Sequence, residues 1–308
     1  MITPIKTVPS TMSSDQLAAC PLCGEGRCYE LYRFEPAQWI PGSVVRCANC
    51  ATVYKKPSAA ARPIANYYSD PRYGALNYWS FEEQATRTLR RILGSLVSLV
   101  GSNGSRSLLE IGCGPGRFLE LAQERGFEVS GIELNAALAD EARKRTGGRP
   151  IICDDFMTAP FSGQFDVIAM LDLIEHLTDP LAALRHSYEM LKPGGYLLVY
   201  TPNHKGLTVR VADLAYRATR GSIAGPVIEI FDCLHIVFFD PDSLRFALER
   251  SGFQLSKSVF SPYDPARNDQ ATGVSAYAVR GLEALGRILY GQFRMLMVGQ
   301  KPYDPVRA

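Results

Sequence analysis

The sequence predicts an α/β fold: a mostly parallel sheet with helices on both faces, preceded by a small cysteine-bearing module. Three observations carry this. From residue 107 onward, short apolar runs alternate with helical patterns, as expected of strands joined by crossover helices. The helices carry start and stop signals, as in DPDSLRFALERSGF, where Asp240 caps, Pro241 opens the first turn and Gly252 ends it. Ahead of them stand two Cys-x2-Cys pairs, CPLC and CANC. With 308 residues, 46% of them hydrophobic and 21% charged, the chain can bury one large domain and an appendage.

Taken in order, residues 1–18 are expected to form a disordered tail without a signal-peptide core. Cys20, Cys23, Cys47 and Cys50 make two knuckles separated by 23 residues. In a chain with no export signal this spacing argues for thiolates around a structural zinc ion rather than for disulfides. Four thiolates close a tetrahedral set and leave no position open for catalysis. The zinc ribbon is set at 19–57, with VVRC and TVYK as short strands. Residues 58–104 read as an aromatic cap followed by a helix from about Phe81 to Val100, with Leu89, Ile92, Leu93, Leu96 and Val97 at helical spacing.

The main domain is set at 105–308. Its strands are SLLEIG, FEVSGIEL, PIICDD, FDVIAMLDL, YLLVYTPN, FQLSKSVF and FRMLMVGQKP. A helix beginning at Asp179-Pro180 is expected to end at KPGG. Two insertions, at about 204–234 and 262–292, are long for simple connections and are expected to form a substrate lid. Lys and Arg number 33 against 31 Asp and Glu, for a net charge of +2, and no basic run occurs, which argues against nucleic acid as partner. The longest apolar stretch, ILGSLVSLVG, is too short to cross a bilayer. A soluble, cytoplasmic protein is expected, compatible with a homo-oligomer.

The stretch LLEIGCGPGRF holds the chemistry-bearing turn. A P-loop would need Lys followed by Ser or Thr, and the dinucleotide fingerprint would need glycine where Arg117 stands. What remains is GxGxG after an acidic strand end. Here, over roughly residues 107–261, the chain resembles the class I S-adenosylmethionine-dependent methyltransferases. The resemblance implies a Rossmann-like seven-stranded methyltransferase sheet and S-adenosylmethionine as cofactor. It implies that Gly112, Gly114 and Gly116 let the backbone approach the cofactor. Glu110 would position the cofactor's amino-acid end, and Glu133 in GIELN would accept its ribose hydroxyls. Asp155 and Phe156 would serve the adenine, while Leu171, beside Met170, would line the methionine portion.

Because the sulfonium already activates the methyl group, the protein must align a nucleophile and, where that nucleophile carries a proton, remove it. His176 and Glu175, in LDLIEHLTDP, are the candidates for this work, with helix capping as the alternative for His176. Asp172, Glu175 and His176 stand at i, i+3 and i+4, which would place them on one face of a helical turn. Family members of the ubiquinone and small-RNA pathways with a similar run and a later histidine hold a divalent metal. The later histidine here would be His235, in CLHIVFF; a second divalent metal is one reading, and the alternative is a metal-free turn, since many relatives carry similar Glu-His and His-x-x-Phe-Phe runs without any metal. The ribbon ahead of the sheet resembles enzymes of deoxysugar and natural-product pathways, including nucleotide-sugar C-methyltransferases, which implies a small-molecule acceptor at O, N or C. The alternatives are an RNA methyltransferase that grips its substrate with the ribbon, and a non-catalytic partner protein.

Overall fold

The computed structural model describes residues 18–35, 37, 39–59, 61, 82–100, 106–159, 163–261, 281–282, 284–286 and 291–303. The tail at 1–17, the aromatic segment 62–81 and the lid segment 262–280 lie outside the described residues. The chain begins with β1 (Cys28–Phe34), β2 (Gly42–Cys47) and β3 (Val53–Pro57), then α1 (Glu82–Val100). Next come β4 (Arg106–Ile111), α2 (Arg117–Gln123), β5 (Phe127–Ile132), α3 (Ala136–Arg145), β6 (Ile151–Ile152) and β7 (Phe165–Leu171). After a 3-10 turn at Ile174–His176 follow α4 (Pro180–Met190), β8 (Leu191–Pro202), α5 (Leu207–Ala218), α6 (Gly225–Phe231) and β9 (Val237–Phe238). The last elements are α7 (Pro241–Arg250), β10 (Gln254–Ser261) and β11 (Arg294–Gln300).

The main sheet has seven strands in the order β10-β11-β8-β7-β4-β5-β6. Strands β6, β5, β4, β7 and β8 run parallel, whereas β11 inserts antiparallel between β8 and β10. The central strands are buried on both faces, which is why they read as unbroken apolar runs. From β4 the chain steps outward to β5 and β6, then returns to β7 and β8 on the other side. This reversal opens a crevice at the carboxyl ends of β4 and β7, where ligands of open α/β sheets bind.

KPGG serves differently from the expected helix stop. Helix α4 ends at Met190 and β8 begins at once with Leu191. Pairing with β7 shifts between Phe165↔Leu191 and Val167↔Tyr196, so Lys192 to Gly195 form a bulge at the strand's entry. The helix at 241–250 falls where its Asp-Pro start and glycine stop place it, and α2 and α3 cross over between β4, β5 and β6. Asn135 and Asp240 cap α3 and α7 through side-chain oxygens.

The smaller sheet, β1-β2-β3-β9, takes its fourth strand from far along the chain: Val53 pairs with Phe238 and Tyr54 with Val237. Its core is not separate. Cys20, Cys47 and Tyr54 share one buried cluster with Leu109, Ile168 and Ile236. On its other side Tyr32, Phe34 and Val44 pack against Val209, Ala212 and Phe231, so the 204–234 insertion folds as two helices over this sheet. Neither β1 nor β9 was read from sequence, since CYELYRF alternates poorly and Val237–Phe238 lies inside an apolar run without turn signals. Among the described residues, no helix is long and apolar enough to cross a membrane.

Candidate functional site

The glycine turn sits at the crevice. Gly112, Gly114 and Gly116 all have positive φ, at +71°, +51° and +80°. At Gly116 the constraint is twofold, because a Cβ there would also lie 2.9 Å from the Ala142 Cα. The turn is closed from the next strand. The Gly114 N–H donates to Glu133 Oε2 at 2.9 Å, and the Asn135 N–H donates to Glu133 Oε1 at 2.8 Å. Glu133 therefore clamps the turn as well as ending β5. Glu110, 4% exposed, lies beside it, and its Oε2 has no hydrogen-bond partner among the described residues. Burial, and then the Glu133 charge, push the Glu110 carboxyl well above the usual carboxylate range. Burial likewise raises Glu133, against the hydrogen bonds from Asn135 and Gly114. An orphaned carboxyl beside a clamped one fits the cationic amino end and hydroxyl-bearing ribose of S-adenosylmethionine.

Beyond β6, Asp155 is exposed, and its Oδ1 accepts from the Met157 N–H at 2.9 Å. Phe156 is turned into the core, with its ring 4.9 Å from that of His186. The neighbouring Met157, 45% exposed, is the apolar side chain at the surface of this turn. Leu171 ends β7 half-buried, whereas Met170 is fully buried.

On the opposite side of the crevice the expected helical face over Asp172, Glu175 and His176 does not form. Asp172 adopts a left-handed conformation, φ +52°, outside the 3-10 turn, and its carboxylate pairs with Arg294. Its N–H donates to the Tyr200 carbonyl at 2.8 Å, which fixes the chain's exit from β7. The turn itself is hung on the segment before β9: the Ile236 N–H donates to the Glu175 carbonyl at 2.7 Å. His176 Nδ1 donates to the Leu234 carbonyl at 3.2 Å, which leaves the lone pair on Nε2.

Glu175, 1% exposed, has no hydrogen-bond partner for either carboxyl oxygen among the described residues, and neither does His235 Nδ1. Potential ligand atoms of Glu175, His176 and His235 all lie within 4.8 Å of one another. The histidine rings are 4.8 Å apart, near perpendicular. Burial, then Asp172, pushes Glu175 up to about 8, while burial pushes His176 down to about 4. Burial and its histidine neighbours push His235 well below the ordinary histidine value too. An unpartnered carboxyl and two neutral imidazoles at this spacing fit a divalent cation.

Sequence reasoning missed two residues here. His204 lies 6.1 Å from the His235 ring, donates Nδ1 to the Phe239 carbonyl at 3.3 Å and keeps a buried, unpartnered Nε2. Its signal was rarity, since three of the chain's four histidines meet here. Arg294 was signalled only as the one charge in the apolar strand FRMLMVG.

At the other end of the small sheet, the four cysteines converge. Cys20 Sγ lies 3.5 Å from Cys50 Sγ, Cys23 Sγ lies 3.5 Å from Cys47 Sγ, and all four fall within 4.8 Å. Tetrahedral zinc with bonds of about 2.3 Å needs sulfurs roughly 3.8 Å apart, so the set fits that ion. Gly24 and Ala51, which follow the knuckles, take positive φ of 76° and 59°, as the tight turns require. The Asn49 and Cys50 N–H groups point at Cys47 Sγ, at 3.4 and 3.5 Å.

A family model described as a methyltransferase domain matches residues 78–258. The ubiquinone biosynthesis O-methyltransferase of Pseudomonas paraeruginosa is 32% identical over 104 residues, 32% of this chain and 45% of that protein. The Escherichia coli protein of the same name is 27% identical over 142 residues, 43% of this chain and 59% of its own. The chain thus spans about half the length of these curated relatives. Among solved structures, a chain of the complex between the Haloferax volcanii Trm112 methyltransferase activator and a methyltransferase is similar at TM-score 0.51. It is 15% identical, and the match covers 73% of this chain and 96% of that one. The cyclase SpnF is similar at TM-score 0.50 and 17% identity, over 73% and 84% of the two chains. At these identities the likeness shows the fold alone.

Proposed function

The chain belongs to the methyltransferase-domain family, and from that premise we propose that it transfers a methyl group from S-adenosylmethionine to a hydroxyl of a small organic acceptor. The observation that carries the reading is the crevice with two unlike sides. On one side Glu133 clamps the Gly114 turn next to the orphaned Glu110. On the other, potential ligand atoms of Glu175, His176 and His235 come within 4.8 Å of one another, with both Glu175 carboxyl oxygens and His235 Nδ1 unpartnered among the described residues.

S-adenosylmethionine supplies the electrophilic methyl group. Glu110 takes its ammonium, the glycine turn its carboxylate, Glu133 its ribose hydroxyls, Asp155 its adenine amine and Leu171 its methionine chain. Glu175, kept protonated at neutral pH by its burial, holds the acceptor hydroxyl, His176 receives the hydroxyl proton through Nε2, and His235 completes that wall. An acceptor without a proton to lose would need none of these three, which favours a protic acceptor, and the O-methyltransferase names of the curated relatives favour oxygen among such acceptors. Alternatively, a divalent cation held by Glu175, His176 and His235 would take the place of that base by lowering the pKa of the acceptor hydroxyl, since His176 Nε2 cannot ligate a cation and take a proton at once. Zinc at Cys20, Cys23, Cys47 and Cys50 is structural, because four sulfurs leave no open position.

Secondary-metabolite or sugar chemistry, suggested by the ribbon ahead of the sheet, remains part of this proposal, as does the division into ribbon, cap and methyltransferase unit. Incubation with methyl-labelled S-adenosylmethionine and a host extract tests it. Label in small molecules supports the reading; label confined to RNA or protein overturns it and makes the ribbon a macromolecule-binding module.

A further inference from the structure

A second opening lies on the α1 side of the sheet, with a cavity of about 190 Å³ between α1 and the ends of β8, β10 and β11. Thr88, Arg91 and Ser95 line it from the helix, and Tyr200, Ser261 and Gln292 from the sheet. Ile92 and Leu296 supply an apolar floor. None of the residues of the glycine turn, Glu133 or Asp155 lines it. The cavity adjoins the acceptor side instead. Tyr200 accepts the Asp172 N–H on its carbonyl, and its ring lies 5.4 Å from the Arg294 guanidinium that pairs with Asp172.

The lining has a one-sided chemistry. It offers one guanidinium, one amide and four hydroxyls, and not one of its residues is acidic. Arg91 is exposed, and Gln292 is 7% exposed with an amide nitrogen that has no hydrogen-bond partner among the described residues. An unpaired buried donor is unfavourable, and a ligand acceptor atom would satisfy it. Pockets for whole drug-sized ligands run to roughly 300–1,000 Å³, so this one suits one end of a molecule. A single planar guanidinium beside hydroxyl donors matches a carboxylate, whereas a phosphate dianion would call for more positive charge.

We propose that this cavity is a subsite for a carboxylate carried by the methyl acceptor, with Arg91 at its mouth and, as further donors, the Gln292 amide and one hydroxyl of the Tyr200–Ser261 pair, which bond each other at 3.4 Å. The inference rests on the acceptor-side reading of the crevice and adds the substrate class to it: a hydroxy acid rather than a neutral alcohol. The carboxylate would be anchored on the α1 side while the hydroxyl faces Glu175 and His176.

Calorimetric titration of the full chain with benzoate, benzyl alcohol and phenyl phosphate tests this, with S-adenosylhomocysteine titrated in parallel. The expected result is that benzoate binds and benzyl alcohol does not. Arg91→Ala and Gln292→Leu should each weaken benzoate at least fivefold with S-adenosylhomocysteine affinity unchanged. Should Gln292→Leu lose S-adenosylhomocysteine binding through misfolding, Arg91→Ala, at an exposed position, decides alone. Equal binding of benzoate and benzyl alcohol, tighter phenyl phosphate, or benzoate affinity indifferent to Arg91→Ala would overturn the proposal. Failure of the wild type to bind S-adenosylhomocysteine would instead sink the cofactor reading, and the benzoate results would still judge the subsite.

Discussion

Lys55 Nζ donates to the Cys233 carbonyl at 2.9 Å from a position with no solvent exposure, and so ties the cysteine-bearing sheet to the segment that carries His235. Its backbone N–H reinforces the tie with a 2.7 Å bond to the Ile236 carbonyl. The adjacent Tyr54, fully buried, packs in one cluster with Cys20 and Cys47. Strand β3 therefore faces the thiol cluster with one residue and the histidine segment with the next, as the alternation of a strand demands. The cysteine-bearing sheet thus holds the segment that carries His235 through β3.

Lys55→Met should separate position from stability. Losing the donor leaves the Cys233 carbonyl unpaired at about 1–3 kcal/mol, but it also removes a buried ammonium whose desolvation opposes folding. The melting temperature should move little. Methyl transfer should fall roughly ten- to a hundredfold, since misplacement by about 1 Å can cost about a hundredfold. S-adenosylhomocysteine affinity should hold. Parallel melts, assays and titrations would check it, and unchanged transfer would show that the tie is only structural.

Metal analysis should find one zinc per chain, lost in Cys20→Ser and in Cys47→Ser. Because these cysteines share a core with Leu109 and Ile168 of the central strands, chelation should lower the melting temperature of the whole chain rather than release a separate unit. A distinct early transition in calorimetry would contradict the shared core.

Gly131, the penultimate residue of β5, should accept a side chain only at a cost. A Cβ there would meet Cys113 Sγ at 2.7 Å and Leu119 and Ile151 side chains at 2.9 Å. Gly131→Ala should cost about 1–3 kcal/mol by overpacking, measured by denaturant unfolding. Gly116→Ala should instead show mainly in cofactor affinity, through its +80° φ and the nearby Ala142 backbone.

Binding of S-adenosylmethionine should release protons. Burial raises Glu110 well above its ordinary value, so without cofactor the folded state holds a proton that the unfolded state gives up. Stability is therefore highest below the unfolded carboxylate pKa and declines as pH climbs toward the folded value. A cationic amino group beside Glu110 reverses the shift. The measured binding enthalpy should then vary with buffer ionisation enthalpy, and Glu110→Gln should abolish that variation.

Asp166 gives the opposite sign. Its Oδ2 accepts from the Ser107 N–H and hydroxyl, both at 2.9 Å, and from Lys192 Nζ at 2.8 Å, which joins β4, β7 and β8 at their amino ends. Despite partial burial, Lys192 and then Ser107 hold this carboxyl below its usual value of 3.8. Its contribution is present above that value and lost as pH falls through the folded pKa. Asp166→Asn should cost about 1–2 kcal/mol at neutral pH, with the difference from wild type vanishing in acid. Urea unfolding at pH 7 and pH 3 would measure both.

The sequence by itself determined the local and covalent side of this protein. Apolar runs bounded by Asp-Pro starts and glycine stops specified the strands and helices, because capping and backbone freedom act over a few residues. The GxGxG turn with Glu110 and Glu133, and the paired cysteines, were legible for the same reason: their geometry is set by spacing along one stretch of chain. Only the tertiary structure decided what long-range pairing controls. It brought β9 to β3 across nearly two hundred residues, which no periodicity announces. It withdrew Asp172 from the helical turn by giving its carboxylate to Arg294, because a buried guanidinium must be paired. It also set His204 beside His235, and Lys55 against Cys233, where burial rather than sequence neighbourhood decides which polar groups must find each other.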